Sequence, residues 1–258
     1  MTIKKTKNKL KKKKSIKFEN NIKYNIYNNN FNDFELNSLT YNEALLYDKR
    51  TYIQYYLSLI KTKHPIIFSF LPNADYNTII IKINILIISF SFYYVINACF
   101  FDEVAIHQIY EDSGEYIFSF FVLPIVLSFI FGHILSTIIK YIFLSERNIF
   151  EIRKETNLVQ ALEKKSTAKK NIILKYIIFF VAGTIILIFF WYYMSSFGAV
   201  YQNTQLFIIK NTLISCLMSL IYPFIINFLP GIFRISALND TQNKKECIFK
   251  FSKILQLI

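Results

Sequence analysis

Ile172–Met194 reads IILKYIIFFVAGTIILIFFWYYM. The run holds one Lys and no carboxylate. About 20 apolar residues in a helix cover the ~30 Å hydrocarbon layer of a bilayer. Buried strands are also continuous apolar runs, but they end after about 4–8 residues. The run therefore reads as a membrane helix. Three more runs of this kind lie along the chain, at about Thr78–Phe101, Tyr116–Leu144 and Leu206–Leu229. The expected fold is an all-α membrane protein with four transmembrane helices.

Composition agrees. Of 258 residues, 53% are hydrophobic and 18% charged, against about 25% charged in soluble domains. Phe (27) and Tyr (18) fill the difference. With five Gly, the chain has no Gly-rich phosphate loop. Cys99, Cys216 and Cys247 are too scattered for a disulfide framework or a zinc site.

The net charge of +13 could point to nucleic acid, but its placement points to lipid. The segment before the first span carries 14 Lys and Arg, and the connection between the second and third spans, with the start of the third, carries eight. The tail from Pro230 carries five. The connections Asp102–Glu115 and Ser195–Gln205 carry none. By the positive-inside rule both termini are cytoplasmic, which requires an even number of spans. Trp191-Tyr192-Tyr193 then marks the outer aromatic belt. The expected location is integral and multi-pass, with no nucleic-acid partner.

Four regions follow. Residues 1–36 form a basic, Asn-rich disordered cytoplasmic arm, with nine Lys between Lys4 and Lys17 able to attract anionic inner-leaflet lipid. Residues 37–77 form a cytoplasmic or interfacial amphipathic segment. Within it one helix is expected over Glu43–Lys63, with Ile53, Tyr56, Leu57 and Ile60 on one face, ended by His64-Pro65. That helix suits either the membrane interface or docking on the inner ends of the spans. Residues 78–232 hold the spans, at about 78–101, 116–144, 172–194 and 206–229, and residues 233–258 form a cytoplasmic tail. Ser145–Lys170 is charged and free of Gly and Pro. It is expected to prolong the second span into the cytosol as one helix.

Polar residues inside spans are costly in lipid and so are candidates for packing or function. Ser128, Gly132 and Ser136 sit four apart, as do Ser215 and Ser219. Such rows let helix backbones approach closely. His133, with Thr137 and Lys140 at i+4 and i+7, forms a neighbouring stripe. A proton or ion path would want a carboxylate partner, and no span contains Asp or Glu. Lys82 and Lys210 lie near span ends, where they can snorkel as anchors. Pro124 and Pro223 each remove a backbone donor from a span.

The loop Asp102–Glu115 has five carboxylates and His107, but its spacing fits no standard calcium or zinc site. Neither GxSxG, HExxH nor CxxC occurs, and His64, His107 and His133 fall in three compartments. The sequence gives no catalytic constellation, no metal site and no cofactor site.

Three stretches carry a resemblance: LTYNEALLYDKRTYIQYYLSLIKTKHPIIFSFLPNADYNT (39–78), FFWYYMSSFGAVYQNTQLFIIKNTLIS (189–215) and LPGIFRI (229–235). They resemble a set of uncharacterised ciliate multi-pass membrane proteins, over about residues 37–238. The set implies a membrane region without an assigned function. Asn97-Ala98 followed by Phe100, and the polar helix after Phe197, are also similar to the membrane region of receptor-like polycystins. The expected function is a non-enzymatic helical membrane module or anchor, embedded in the bilayer and associating with another membrane protein or with its own copies. The alternative is a polycystin-like channel or transporter subunit.

Overall fold

The computed structural model describes residues 31–71, 75–111, 118–153, 155, 157–239 and 245–257. Helix accounts for 86% of them, with no strand among them. Residues 1–30, most of the expected arm, lie outside the described residues, as do 112–117 of the acidic connection.

Four short helices come first: α1 (Asp33–Ser38), α2 (Tyr41–Tyr47), α3 (Tyr52–Lys63) and α4 (Pro65–Phe70). Local chemistry starts each of them. Asn32 Oδ1 accepts from the Glu35 amide while Glu35 accepts from the Asn32 amide. Thr51 and Gln54 make the same reciprocal pair, and Glu43 accepts from the Thr40 amide. His64 Nδ1 accepts from the Ile67 amide, with Pro65 at the first helical position. Each cap satisfies backbone donors that the helix cannot.

The long helices follow. These are α5 (Ile79–Cys99), α7 (Phe118–Phe143), α9 (Leu158–Val200) and α10 (Gln205–Ile226). All four, the last counted together with the helix after it, are long and apolar enough to cross a membrane. The short α6 (Glu103–Glu111) and α8 (Glu146–Arg153) join them, and α11 (Phe228–Leu238) and α12 (Glu246–Leu257) close the chain. Helix α5 is central and packs on α7, α10 and α9, whereas α9 touches mainly α5 and α8. The buried share of the apolar window is 39% in α5 and 11% in α9.

Several expectations change. The helix expected over Glu43–Lys63 is two helices, because the Thr51–Gln54 box starts a new one after Asp48. Ser145–Lys170 does not extend the second span. Helix α7 ends at Phe143, where the Ser145 amide turns to donate to Asn77 Oδ1 at 2.9 Å. The charged stretch from Leu158 belongs instead to α9, which Asn157 caps. At 43 residues α9 is about 64 Å long, roughly twice a hydrocarbon layer. The acidic connection is helical over α6. Residues 33–36 of the expected disordered arm are helical too, and Glu35 is fully buried.

Helices α1–α4, α8, α11 and α12 gather at one end of the spans as a platform. Leu39, Tyr41, Ala44, Phe150, Ala237 and Phe249 form its apolar core. At the opposite end Phe101, Ala105, Phe121, Phe197 and Phe207 tie α6 to the spans.

Candidate functional site

The polar residues fall into two layers. The first is a seam where α5, α7 and α10 meet. Asn97 on α5 is fully buried, and its Nδ2 lies 2.9 Å from Ser128 Oγ and 3.2 Å from Ser215 Oγ. Ser128 Oγ donates to the Tyr93 carbonyl at 2.8 Å. Two turns toward the platform, Ser89 Oγ lies 2.8 Å from Ser136 Oγ. Between them Gly132 faces the Tyr93 ring so closely that any Cβ would overlap it. Ser219 is buried on α10.

The sequence rows on α7 and α10 thus lie on the faces these helices turn to α5. The residue that joins them, Asn97, was missed as a site residue. Its signal was an amide in a mainly apolar run, which lipid does not tolerate unpaired; the run's other amide, Asn84, is only half-buried and bonds the Ile80 carbonyl of its own helix.

His133 lies beside the seam and is half-buried. Its ring meets Tyr222 edge-on at 5.0 Å and stacks with Phe129 at 6.2 Å. Thr137 Oγ1 donates to the His133 carbonyl. Lys210 is exposed, with its ammonium 5.7 Å from the Phe207 ring centre.

The second layer is charged and lies under the platform. Lys82 does not snorkel. It is 2% exposed and ion-paired at 2.5 Å to Asp75, which precedes the span. The carboxylate missing from the spans is supplied from outside them, by Asp75 and by buried Glu146. Burial, with the Asp75 charge added, pushes the Glu146 carboxyl up to about 7. Phe68 on α4 sits between the two span lysines, its ring 5.0 Å from Lys82 Nζ and 5.3 Å from Lys140 Nζ. Lys63, at the end of α3, has its ammonium buried without a hydrogen-bond partner among the described residues. Burial and the Lys140 charge push Lys63 down to about 8.

The platform is locked by two further ionic groups. Fully buried Arg234 gives Nε and Nη2 to Asp48 Oδ2 at 3.0 and 2.8 Å and Nη2 to the Leu36 carbonyl. Its guanidinium lies over Tyr55 and Phe249. Arg50 holds the other side of Asp48 at 2.8 Å and reaches Asn37 and Ser58. Burial alone would raise the Asp48 carboxyl, but the Arg50 hydrogen bond and the two guanidinium charges hold it below its ordinary value. Arg153 of α8 bridges both Glu35 oxygens and Tyr76. Arg234, expected in a tail, is therefore a central strut of the platform.

A cavity of about 330 Å³ opens between the layers, lined by Lys63, Lys140, His133 and Ser136 and by the apolar Ile87 and Phe90. It brings together residues from α3, α4, α5, α7 and α10. Among the described residues no group of His, Cys, Asp and Glu has the arrangement of a metal site. Comparison with known proteins finds no matching family model, no matching curated protein and no matching solved structure.

Proposed function

We propose that the protein is a non-enzymatic membrane module whose third span, α9, is its association face. The observation that carries this is the 11% burial of the α9 window, the least of the four spans. Ile178, Val181, Ile185, Ile188 and Phe189 are all exposed along it. Lipid alone can cover such a face, but α9 also runs about 64 Å, and its polar half carries exposed Val159 and Leu162 beyond the spans. Apolar side chains exposed beyond the hydrocarbon layer are out of reach of lipid chains and suit a protein partner. The partner is another membrane protein or a second copy of this chain.

The distribution of Lys and Arg supports a cytoplasmic platform with both termini inside. Tags at either end should be reachable only after permeabilisation.

Cysteines placed at Val159, Val181 and Ile188, which share one face of α9, with the three native cysteines replaced, test the association. Oxidation in native membranes should give a cross-linked product from all three positions. Cross-linking no better than from Leu213, an exposed α10 residue, would remove α9 as the face.

A channel or transporter subunit is the second reading, favoured by the cavity at His133 and Lys140. Ion flux from the pure protein in liposomes would select it.

A further inference from the structure

The charges around the cavity do not balance. Lys63, Lys82 and Lys140 meet Asp75 and Glu146 at this end of the spans. Asp75 is engaged by Lys82. Glu146 lies within the electrostatic reach of Lys82 and Lys140. Even with both carboxylates ionised, three ammoniums face two negative charges, and the buried Lys63 ammonium has no hydrogen-bonding partner among the described residues. A buried unpaired ammonium costs several kcal/mol unless it gains a counter-charge. The charge it faces across the cavity is another cation, Lys140.

The walls point to where a counter-ion comes from. Away from the lysines the cavity is lined by Leu86, Ile87, Phe90 and Leu220. Ile87 is 48% and Phe90 43% exposed on the bilayer-facing surface of α5. The cavity thus opens sideways into hydrocarbon, with its cations at the depth where the span meets the platform. An ion from water would have to pass the apolar opening. A lipid need only move sideways within its leaflet. The volume, about 330 Å³, is at the lower end of ligand sites and suits a head group with the upper part of one chain.

We propose that this cavity binds an anionic phospholipid, its phosphate held between the Lys63 and Lys140 ammoniums and one chain laid along Ile87, Phe90 and Leu220. The site differs from the Lys-rich arm of residues 1–30, which would hold anionic lipid only as a diffuse surface. It needs the spans to lie in a bilayer and does not need α9 to have a partner.

The test uses the full chain in vesicles of pure phosphatidylcholine and in vesicles containing phosphatidylglycerol as a fifth of the lipid. Wild-type protein should melt about 5 °C higher with the anionic lipid. In pure phosphatidylcholine Lys63→Met should melt at or above wild type, because it removes an unpaired charge. With phosphatidylglycerol the order should reverse. A variant with the nine lysines from Lys4 to Lys17 changed to Gln should keep the wild-type gain.

As an independent readout, Ile87→Trp in a Trp191→Phe background should be quenched more strongly by brominated phosphatidylglycerol than by brominated phosphatidylcholine. Lys63→Met should erase that difference. An equal gain for wild type and Lys63→Met, together with equal quenching by the two lipids, would overturn the proposal. So would a full gain from inorganic phosphate in pure phosphatidylcholine, which would make the ligand a free anion. Failure of α9 cross-linking alone would leave the lipid site standing, since no α9 residue lines the cavity.

Discussion

Helices α5 and α9 are both apolar enough to cross a membrane, yet they hold opposite places in the bundle. The α5 window is 39% buried and touches all three other spans, while the α9 window is 11% buried. The difference lies in their polar residues. Helix α5 carries Lys82, Ser89 and Asn97, all buried and all bonded to other helices or to the segment before the span. Helix α9 carries Thr184, which is exposed and bonds only the Phe180 carbonyl of its own helix. Lipid and protein are equally good solvents for Ile and Phe. Which span becomes central is decided by the few groups that lipid cannot satisfy.

Removing such a group from α5 is the strongest way to break this contrast. Lys82→Met would leave Asp75 buried without its cation. One-sided loss of a buried ion pair costs about 3–5 kcal/mol. Lys210→Met, at an exposed position on α10, should stay within about 0.5 kcal/mol of wild type. Unfolding in mild detergent measures both. Similar midpoints would show that Lys82 contributes nothing beyond its length.

The same cluster gives a pH dependence. The folded-state value of Glu146, about 7, lies above the ordinary carboxylate range. The folded protein therefore binds a proton that the unfolded chain releases. That contribution is fully present below about pH 4.5 and is lost as pH rises through 7. A shift of this size corresponds to about 3 kcal/mol at most. Wild type should lose stability between pH 5 and 8, and Glu146→Gln should flatten the profile over that window. Lys63, pushed down to about 8, works in the other direction, adding stability as pH rises from about 8 toward 10.5. An unchanged profile in Glu146→Gln would remove Glu146 as the source.

How far was this arrangement readable? The four apolar runs carried the fold class, because length and the absence of carboxylates are local properties. The Thr51–Gln54 capping box was equally local, but the helical spacing of Ile53, Tyr56, Leu57 and Ile60 masked it. The end of α7 was not readable. Leu144-Ser145 carries no Gly or Pro, and the chain turns there because Asn77 receives the Ser145 amide across 68 residues. Arg234 shows the same limit. Its partner Asp48 lies 186 residues away, and no spacing rule connects them. The serine rows were legible as seams, but not the face that each would meet. The unpaired Lys63 came from tertiary placement alone, since in sequence it is one of several lysines at a helix end.

Glycines compare the two helix contacts directly. Helix α7 meets α5 through Gly132, where a Cβ would overlap the Tyr93 ring, buried and unable to retreat. Helix α9 meets α5 through Gly183, where a Cβ would come 3.1 Å from Ile88 Cδ1, the movable end of a flexible side chain. Gly132→Ala should therefore cost about 1–3 kcal/mol through overpacking. Gly183→Ala should be close to neutral, since any small displacement of Ile88 is offset by the better helix propensity of Ala. Ile130→Leu, on the exposed side of α7, serves as the reference. Equal costs at both glycines would mean that α9 packs as tightly as α7, and the contrast between α5 and α9 would have to be redrawn.

The smallest expected effect lies at Asn97, and it bears on why α5 is central. The Asn97 amide touches α7 through Ser128 and α10 through Ser215. Asn97→Leu keeps the branched shape but leaves both hydroxyls without that amide. Each has an alternative, since Ser128 still donates to the Tyr93 carbonyl and Ser215 to the Asn211 carbonyl. The loss should therefore be modest, about 1 kcal/mol, in line with hydrogen bonds measured inside membranes. Thr184→Val on α9 removes one bond to its own helix and should cost less than half of that. A double change of Asn97→Leu with Ser128→Ala separates pairing from packing. If the amide and hydroxyl act as a pair, the double variant should lose less than the two single losses added. Strict additivity would mean that Asn97 acts only through its size, and the central place of α5 would then rest on Lys82 and the platform.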